Sequence, residues 1–453
     1  MQKRTLALVL ILALSLGFAI PTTAREVHVV ERGDALWRIA EAHGLTYTEL
    51  AAYNHIRNPH RIITGQRIYI PAPAADDTVL ALTSYEVVVG ATTRWPVGGT
   101  LTLPAGAGSR TPVPGVILVH GSGPANRDSL VHGNRPFYDI AAYLTAHGVA
   151  VLRYDNRNLV HGWDMQAAYG PAFTVWEETI EAALDAAQIM RQDPRIGEVY
   201  ILGLSLGAML APRIHAAGGD FDGIIMMAGS SRTLMDIILD QEWNIIETAH
   251  ANAAMQVEFF LMLADAGEYD FLRMLLDETT QALGMGSAFT MTNEEITAAT
   301  TALVDIMAMQ MYTVLQMMED VEALFAAIPY MSAEEARRTR INPDVALYAY
   351  YHRDIALHPT EDFIREADVP FLILQGTHDF QVFAETNLWE LYQIFNDRSI
   401  ATFFVYEGLN HFFMPSTATN FFEAMDEYFI PAHVHPYVLR DIVEWIFAQR
   451  GQE

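Results

Sequence analysis

Short apolar runs and segments of helical periodicity alternate along most of the chain. This alternation predicts strands separated by helices, which is typical of an α/β fold with a mostly parallel sheet. The central runs are almost entirely apolar, as expected for strands that are covered on both faces. Eight strands are predicted, at residues 84–89, 99–103, 115–120, 149–154, 199–202, 223–228, 370–375 and 401–406, with helices at 137–147 and 174–191.

The strand pattern stops between residues 231 and 368. Apolar residues in this span recur at intervals of three and four, as at Met307 and Met311, which predicts amphipathic helices. Twelve of the twenty methionines lie between Met235 and Met331, and methionine supplies an adaptable apolar surface. The pattern predicts a helical cap over an active site. The alternative is a helical subdomain whose methionines form an ordinary core.

Residues 26–71 have a different organisation, in which a short strand, two short helices and a second strand follow one another. The stretch HVVERGDALWRIAEAHGLTYTELAAYNHIRNPHRIITGQRIYIP resembles the LysM module along its whole length. The resemblance implies weak binding of glycans that contain N-acetylglucosamine, such as peptidoglycan or chitin, in a groove between two loops. In this sequence the loops contain Gly33, Asp34, Ala35, Leu36, Asn58, Pro59 and Ile62.

One departure from the family and one alternative leave the role of this small domain open. The LysM family often has Thr or Ser where Ala35 stands, so one hydrogen bond to a glycan is lost. A module that only tethers the chain is the alternative to a module that recognises a glycan.

The first 24 residues have the layout of a secretory signal peptide. Lys3 and Arg4 precede an apolar run at 6–20, and small residues precede a cleavage point after Ala24. We therefore expect a protein that is exported and then secreted or associated with the cell wall. An uncleaved membrane anchor is the alternative, although the apolar run is short for a spanning helix.

The composition restricts the class of function. With 453 residues, of which 51% are hydrophobic and 18% charged, the chain is long enough for several globular domains. The formal net charge of -28 argues against nucleic-acid partners and against anionic lipid surfaces. The chain has no cysteine, which excludes disulfides and a thiol nucleophile. No ligand spacing indicates a metal site, and no cofactor is expected.

The sequence Gly203-Leu-Ser-Leu-Gly207 joins a predicted buried strand to a predicted helix. Such a sharp strand-to-helix turn requires small residues at both glycine positions, and it exposes the hydroxyl of Ser205. The backbone N–H of Leu206 is then free to stabilise an oxyanion. The pattern predicts that Ser205 is a nucleophile. A plain glycine-rich turn is the alternative.

Nucleophilic serine chemistry also requires a base, an acid that orients the base, and a second oxyanion donor. Asp379 and His411 follow the last two predicted strands, so they share the edge of the sheet where Ser205 lies. The chain order Ser, Asp, His is that of an α/β-hydrolase. The second donor is expected from the loop after the third strand, at the backbone N–H of Ser122.

The motifs GTLTLP, HGSGPANRD, GLSLG, QGTHDFQV and EGLNHFF occur in this order along the chain. Together they resemble the α/β-hydrolase esterases related to serine aminopeptidases and acyl-CoA thioesterases, a family with a helical lid. The resemblance covers residues 84–448 and implies carboxylic-ester hydrolysis through an acyl-enzyme. A serine peptidase or amidase of the same fold is one alternative, and a non-catalytic wall-binding protein is another.

The predicted organisation is a signal peptide at 1–24, a LysM domain at 26–71, a linker at 72–83, an α/β-hydrolase core at 84–230 and 369–453, and a helical cap at 231–368. The expected partners are a small acyl ester and a wall or chitin-type glycan. We expect no stable membrane span in the mature chain.

Other polar residues are weaker candidates for catalysis. Asp155 is an alternative acid, and Arg127 with Asp128 is expected to shape the oxyanion loop through ion pairs. Relatives continue the fourth strand with a glycine-rich loop, whereas here Arg157 is followed by Asn158, so this loop must differ. Four further histidines are expected to be surface or capping residues, namely His161, His378, His433 and His435.

Overall fold

The computed structural model describes residues 27–30, 34, 36–42, 50, 67–69, 82–282, 284–342, 347–395 and 398–450. The predicted signal peptide and most of the predicted linker lie outside these residues. Among the described residues, no helix is both long enough and apolar enough to cross a bilayer.

The small N-terminal domain contains two paired strands and a helix. Strand β1 (Val27–Val29) pairs antiparallel with β2 (Arg67–Tyr69), and a helix spans Leu36–Ala42. The buried core of this domain consists of Val30, Leu36, Ile39, Ala40, Leu50 and Ile68. Apolar residues at helical spacing therefore face the strand pair, as the sequence pattern predicts.

The strands of the second domain follow in chain order, and the predicted strands are all present. They are β3 (Leu82–Val89), β4 (Val97–Pro104), β5 (Val113–Val119), β6 (Ala150–Tyr154), β7 (Ile196–Leu204), β8 (Gly223–Met227), β9 (Arg340–Asn342), β10 (Leu347–Tyr348), β11 (Phe371–Gly376) and β12 (Ala401–Tyr406). The short antiparallel pair β9–β10 was not predicted, because two or three residues carry no detectable periodicity.

The other eight strands form one sheet in the order β12-β11-β8-β7-β5-β6-β4-β3. The pairs that involve β4 are antiparallel and the remaining pairs are parallel. The strand order reverses at β5, which lies between β6 and β7. In open parallel sheets, ligands bind at such a reversal, beyond the carboxyl ends of the strands. The predicted fold class is confirmed.

Helices connect the strands of this sheet, and the last two helices follow β12. They are Pro136–Ala146, Arg157–Tyr169, Glu181–Gln192, Leu206–Ile214, Ala333–Arg338, Ala349–Leu357, Thr360–Glu366, Ala384–Phe395, Phe421–Glu427 and Pro436–Gln449. The predicted helix at 174–191 is observed as a π-helical turn, Trp176–Ile180, that leads into Glu181–Gln192. Residues of the central strands, such as Ile117 and Ile201, are fully buried beneath these helices.

Contacts between backbones divide the described chain into two compact units, and residues 239–330 form one of them. Its helices are Tyr269–Ala282, Asn293–Ala327 and most of Leu234–Asp265. A capping box between Thr292 and Glu295 begins the longest of these helices. The core of the unit consists of Phe260, Leu263, Leu272, Leu276, Ala288 and Ile296.

Residues 331–368 group with the sheet domain rather than with this helical unit. Arg213 pairs with Asp354 at 2.8 Å, and the Thr360 hydroxyl donates to the Met209 carbonyl at 3.0 Å. The compact unit is therefore narrower than the predicted insertion at 231–368. The role of this insertion as a cap stays a prediction.

Truncation of a buried side chain in β7 tests the packing of the sheet. Leu202 is 0% exposed, so Leu202→Ala should lower the free energy of unfolding by about 3 kcal/mol through lost burial and a cavity. The measurement is urea unfolding followed by tryptophan fluorescence. The matched control is Leu159→Ala, because the Leu159 side chain is 48% exposed and should change stability little. Equal losses in the two variants would contradict the described packing.

Candidate active site

Ser205 lies at the sharp turn between β7 and the helix Leu206–Ile214. Its backbone has φ 56° and ψ −122°, a conformation that non-glycine residues rarely adopt. Residues held in sparsely populated regions of this kind cost of order 1–3 kcal/mol and cluster at functional sites. The surrounding structure must therefore supply the energy that holds Ser205 in this position.

The two glycines of the turn are required by contacts between backbones. A Cβ at Gly203 would lie 2.2 Å from the carbonyl oxygen of Gly207. A Cβ at Gly207 would lie 2.4 Å from the carbonyl oxygens of Val119 and His120, at the end of β5. Both distances are far below van der Waals contact, so no larger residue fits either position without moving the backbone.

His411 and Asp379 form a buried pair. The imidazole Nδ1 lies 3.0 Å from Asp379 Oδ1 and 2.9 Å from Oδ2. Because a carboxylate only accepts, Nδ1 carries the proton, and Nε2 is left as the nitrogen that can accept one. Asp379 Oδ1 also accepts the backbone N–H groups of Gln381 at 2.9 Å and Val382 at 2.7 Å.

The loop that carries His411 is shaped by the preceding residue. The Asn410 side-chain oxygen accepts backbone N–H groups from Phe412 at 3.2 Å and Met414 at 2.9 Å. These bonds close a tight turn in which Phe413 has a φ of 58°. The side chain of Asn410 thus replaces a regular backbone turn and fixes the direction of the neighbouring imidazole.

Ser205 and His411 line the same cavity, which has a volume of about 180 Å³. The remaining lining residues are uncharged or histidine: Gly121, Ser122, Pro124, Ala125, Ser129, Leu130, Val131, His132, Leu204, Gln381 and Phe412. Among the hydrogen bonds of the described residues, none joins the Ser205 hydroxyl to His411. Catalytic hydrogen bonds are often long before a substrate binds.

Both predicted oxyanion donors are near the serine. A Cβ at Gly121 would lie 3.1 Å from the Ser205 Cβ, so the backbone that leads to Ser122 passes directly beside the turn. Leu206 is the first residue of its helix, where backbone N–H groups have no partner within the helix. The positive end of the helix dipole also favours negative charge at this point.

The loop after β5 is held from within by His120 and Asn126. His120 Nε2 donates to the Asn126 carbonyl at 3.0 Å, since a carbonyl can only accept. The Asn126 side-chain oxygen accepts the N–H groups of Asp128 and Leu130, both at 3.1 Å. Complete burial lowers the pKa of His120 to about 4, so the imidazole is neutral at pH 7.

Ion pairs hold the same loop from outside. Arg127 contacts Asp155 at 2.8 Å and Glu86 at 2.6 Å, and Asp128 pairs with Arg153. Asp155 is therefore bound to Arg127, while Asp379 is the carboxylate that contacts His411. This pairing with Arg127 lowers the pKa of Asp155 against the opposing effect of burial.

The segment after β6, where related proteins have a glycine-rich loop, forms the beginning of a helix. The Asn156 side chain caps the helix Arg157–Tyr169 by accepting from the N–H of Asn158 at 2.6 Å. The Arg157 side chain is buried and pairs with Glu181 at 2.7 Å. The Asn156 N–H donates to the Ala125 carbonyl at 2.9 Å, which joins this segment to the oxyanion loop.

The other histidines contact different parts of the structure. His161 Nε2 lies 2.6 Å from the Pro96 carbonyl, and His433 lies 3.1 Å from Asp139. His435 caps the helix Pro436–Gln449. Burial lowers the pKa of His378, the neighbour of Asp379, to about 2, which keeps this imidazole neutral.

Two of the predicted glycan-binding residues are described. Asp34 accepts a hydrogen bond from His28 Nε2 at 2.6 Å. Leu36 is 1% exposed and lies in the small core, so it offers almost no surface to a glycan. Gly33, Ala35, Asn58, Pro59 and Ile62 lie outside the described residues.

Several lining residues were not predicted. Leu130, Val131 and His132 follow the HGSGPANRD motif, and Gln381 and Phe412 flank the predicted acid and base. Proximity in sequence to the motifs was the only signal that could have identified them. Their side chains reach the cavity through loop conformation, for example at His132, where φ is 50°.

Comparisons with known proteins support both predicted resemblances. Residues 28–71 match the sequence model of the LysM domain, and residues 116–424 match that of the Alpha/beta hydrolase family. Esterase EstD of Thermotoga maritima is 42% identical over 143 residues, which are 32% of each chain. The LysM domain followed by an α/β-hydrolase domain is therefore confirmed.

Two further similarities are more limited. N-acetylmuramoyl-L-alanine amidase XlyB of Bacillus subtilis is 38% identical over 72 residues, which are 16% of this chain and 22% of that protein. The chain thus spans about a third of one curated relative and about a fifth of the other. The structure of Est1E from Butyrivibrio proteoclasticus superposes with a TM-score of 0.41 and 12% identity, over 81% of this chain and 99% of that one.

The buried neutral His120 predicts a loss of stability in acid. The unfolded chain takes up a proton near pH 6.5 but the folded chain only near pH 4, so the free energy of unfolding falls between these values. His120→Gln keeps an N–H but does not titrate. Between pH 7 and pH 4 its free energy of unfolding should therefore fall by about 3 kcal/mol less than that of wild type. Urea unfolding at each pH measures the difference.

The matched control for this experiment is His433→Gln, because the His433 side chain is 86% exposed. This substitution should leave the pH dependence of stability close to that of wild type. Identical pH dependence in His120→Gln and wild type would contradict the buried neutral state of His120.

Proposed function

The chain belongs to the alpha/beta hydrolase family, and on this premise we propose that it hydrolyses carboxylic esters through an acyl-enzyme on Ser205. The observation that carries the proposal is the strained Ser205 in one cavity with His411, whose Nδ1 contacts Asp379. The identity with Esterase EstD supports the choice of esters. The residues that line the cavity include no Asp, Glu, Lys or Arg, which is compatible with a neutral acyl ester.

In the proposed mechanism, His411 Nε2 removes the proton of the Ser205 hydroxyl as its oxygen attacks the ester carbonyl. Asp379 accepts a hydrogen bond from the Nδ1–H of His411 and stabilises the imidazolium that forms. The N–H groups of Ser122 and Leu206 bind the tetrahedral oxyanion, and each strong donor of this kind contributes roughly 3–4 kcal/mol.

The tetrahedral intermediate then collapses to an acyl-enzyme, which water hydrolyses in a second stage. His411 gives its proton to the leaving alcohol, and the acyl group remains on the Ser205 oxygen. Water takes the place of the alcohol, and His411 removes a proton from it during the attack on the acyl-enzyme. The carboxylic acid leaves and Ser205 regains its proton, so the net reaction consumes one ester and one water.

We further propose that the LysM domain holds this hydrolase on peptidoglycan or a chitin-type glycan outside the cell. The LysM match and the identity with a wall amidase support the association with a wall. The signal-peptide layout of residues 1–24 supports export. Acyl groups on wall glycans and nutrient esters that reach the wall are the substrates that this location favours.

Substitution of the nucleophile tests the reaction. Ser205→Ala should abolish fluorophosphonate labelling and lower the hydrolysis of p-nitrophenyl acetate to octanoate by roughly 10⁴-fold or more, because no acyl-enzyme can form. The exposed Ser84 provides the matched control Ser84→Ala, which should retain both activities.

Three results would contradict the proposal or favour one of its alternatives. Equal labelling of wild type and Ser205→Ala would contradict the role of Ser205. Turnover of p-nitroanilide amides without turnover of esters would favour the peptidase or amidase alternative. No labelling of folded wild type, with glycan binding retained, would favour a non-catalytic wall-binding protein.

Removal of residues 26–71 tests the proposed tether. The intact protein should co-sediment with insoluble peptidoglycan or chitin and should not co-sediment with cellulose, which lacks N-acetyl groups. The shortened chain should lose co-sedimentation but keep its turnover of p-nitrophenyl acetate, because that substrate needs no glycan. Undiminished binding of the shortened chain would contradict a tether at the LysM domain.

A further inference from the structure

The side-chain amide of Gln375 is buried and contacts the Asp379 carboxylate. Gln375 is the penultimate residue of β11 and is 1% exposed. Its side-chain Nε2 lies 3.1 Å from Asp379 Oδ2, 3.0 Å from the Gly376 carbonyl and 3.0 Å from the Val382 carbonyl. It does not line the cavity that contains Ser205.

We propose that Gln375 is a positioning residue that sets the direction and the acceptor strength of Asp379 toward His411. The inference rests on the proposed function, since it assigns a contribution to the same site. Gln375 does not line the cavity, so it acts on the site through Asp379 and the loop that carries Asp379.

The hydrogen bonds of Asp379 support this role. A carboxylate offers about four acceptor positions. The N–H groups of Gln381 and Val382 occupy positions on Oδ1, and Gln375 occupies one on Oδ2. His411 Nδ1 lies nearly equidistant from both oxygens. The three protein donors therefore leave Asp379 one direction in which to accept, and His411 lies in that direction.

The orientation of the Gln375 amide follows from its surroundings. All three neighbouring polar atoms are oxygens that only accept, so the NH₂ end must face them. The contact with Val382 also ties the end of β11 to the far side of the loop that carries Asp379. One side chain thus fixes both the loop and the carboxylate within it.

Removal of this donor has two consequences. The carboxylate loses a hydrogen bond that draws electron density from Oδ2, so it becomes a stronger acceptor for the His411 N–H and favours the imidazolium. The carboxylate also becomes free to turn away from the imidazole. The first effect moves the protonation of His411 to higher pH, and the second lowers kcat without a change in substrate contacts.

Two substitutions separate these effects from a loss of folding. Gln375→Met has a similar length and no donor. Gln375→Glu keeps the shape, and its buried carboxyl group takes up a proton beside Asp379 and donates to it in place of the amide. The control is Thr102→Val, which removes a buried hydrogen bond to the Val151 carbonyl in another part of the sheet. All variants are made in the full chain and compared at matched thermal stability.

For Gln375→Met we expect kcat for p-nitrophenyl butyrate to fall between about 10- and 100-fold, the loss that a misplacement of about 1 Å produces. KM should stay within about twofold, because no cavity residue changes. The acidic limb of the kcat/KM profile should move to higher pH in Gln375→Met and stay close to that of wild type in Gln375→Glu, whose protonated carboxyl group restores the donor to Asp379. Thr102→Val should move neither kcat nor the limb.

A second readout does not depend on turnover. The proton between His411 and Asp379 should give a downfield ¹H NMR signal, assigned by its loss in Asp379→Asn. The pH midpoint of this signal should rise in Gln375→Met and stay close to that of wild type in Gln375→Glu. An unchanged midpoint together with unchanged kcat in Gln375→Met would overturn the positioning role. Wild type that shows no labelling and no turnover would instead reject the proposed function, while the NMR midpoints still test Gln375.

Discussion

The site depends on the close approach of two backbones at the carboxyl ends of β5 and β7. The Gly207 Cα lies so near the carbonyls of Val119 and His120 that no side chain fits between them. This contact forces the chain to turn from strand to helix within one residue, and Ser205 takes the strained conformation at that residue. The same contact sets the loop after β5 beside Ser205, so one contact positions both the proposed nucleophile and the proposed oxyanion donors.

The polar side chains around this contact are stabilised in two different ways, one as a neutral group and the others as an ion pair. Burial lowers the pKa of His120 to about 4, so it supports the loop as a neutral donor. Arg127 and Asp155 remain charged because they face each other at the outer side of the same loop. The formal charges are thereby kept out of the cavity lining, where an uncompensated charge would be costly.

The chain joins a small LysM domain to an alpha/beta hydrolase domain that is built around the eight-stranded sheet. The LysM domain has a separate core around Leu36 and Leu50, and the hydrolase core does not depend on it. Residues 331–368 pack on the hydrolase through contacts such as that between Arg213 and Asp354. In the function that we propose, glycan binding and hydrolysis therefore belong to separate domains, and proximity to a wall polymer raises the local substrate concentration without new contacts in the active site.

The sequence by itself determined the eight strands of the sheet and the positions of Ser205, Asp379 and His411 at strand ends, because hydrophobic periodicity and turn chemistry are local properties. It left Asp155 open as an acid, and it missed Gln375 and His120 as supports of the site. Only the tertiary structure decided these points. It brings Asp155 to Arg127 from another part of the chain, and the contacts of Gln375 and His120 depend on loop conformations that carry no periodicity. It also buries Leu36, which the resemblance to LysM had placed in a binding loop.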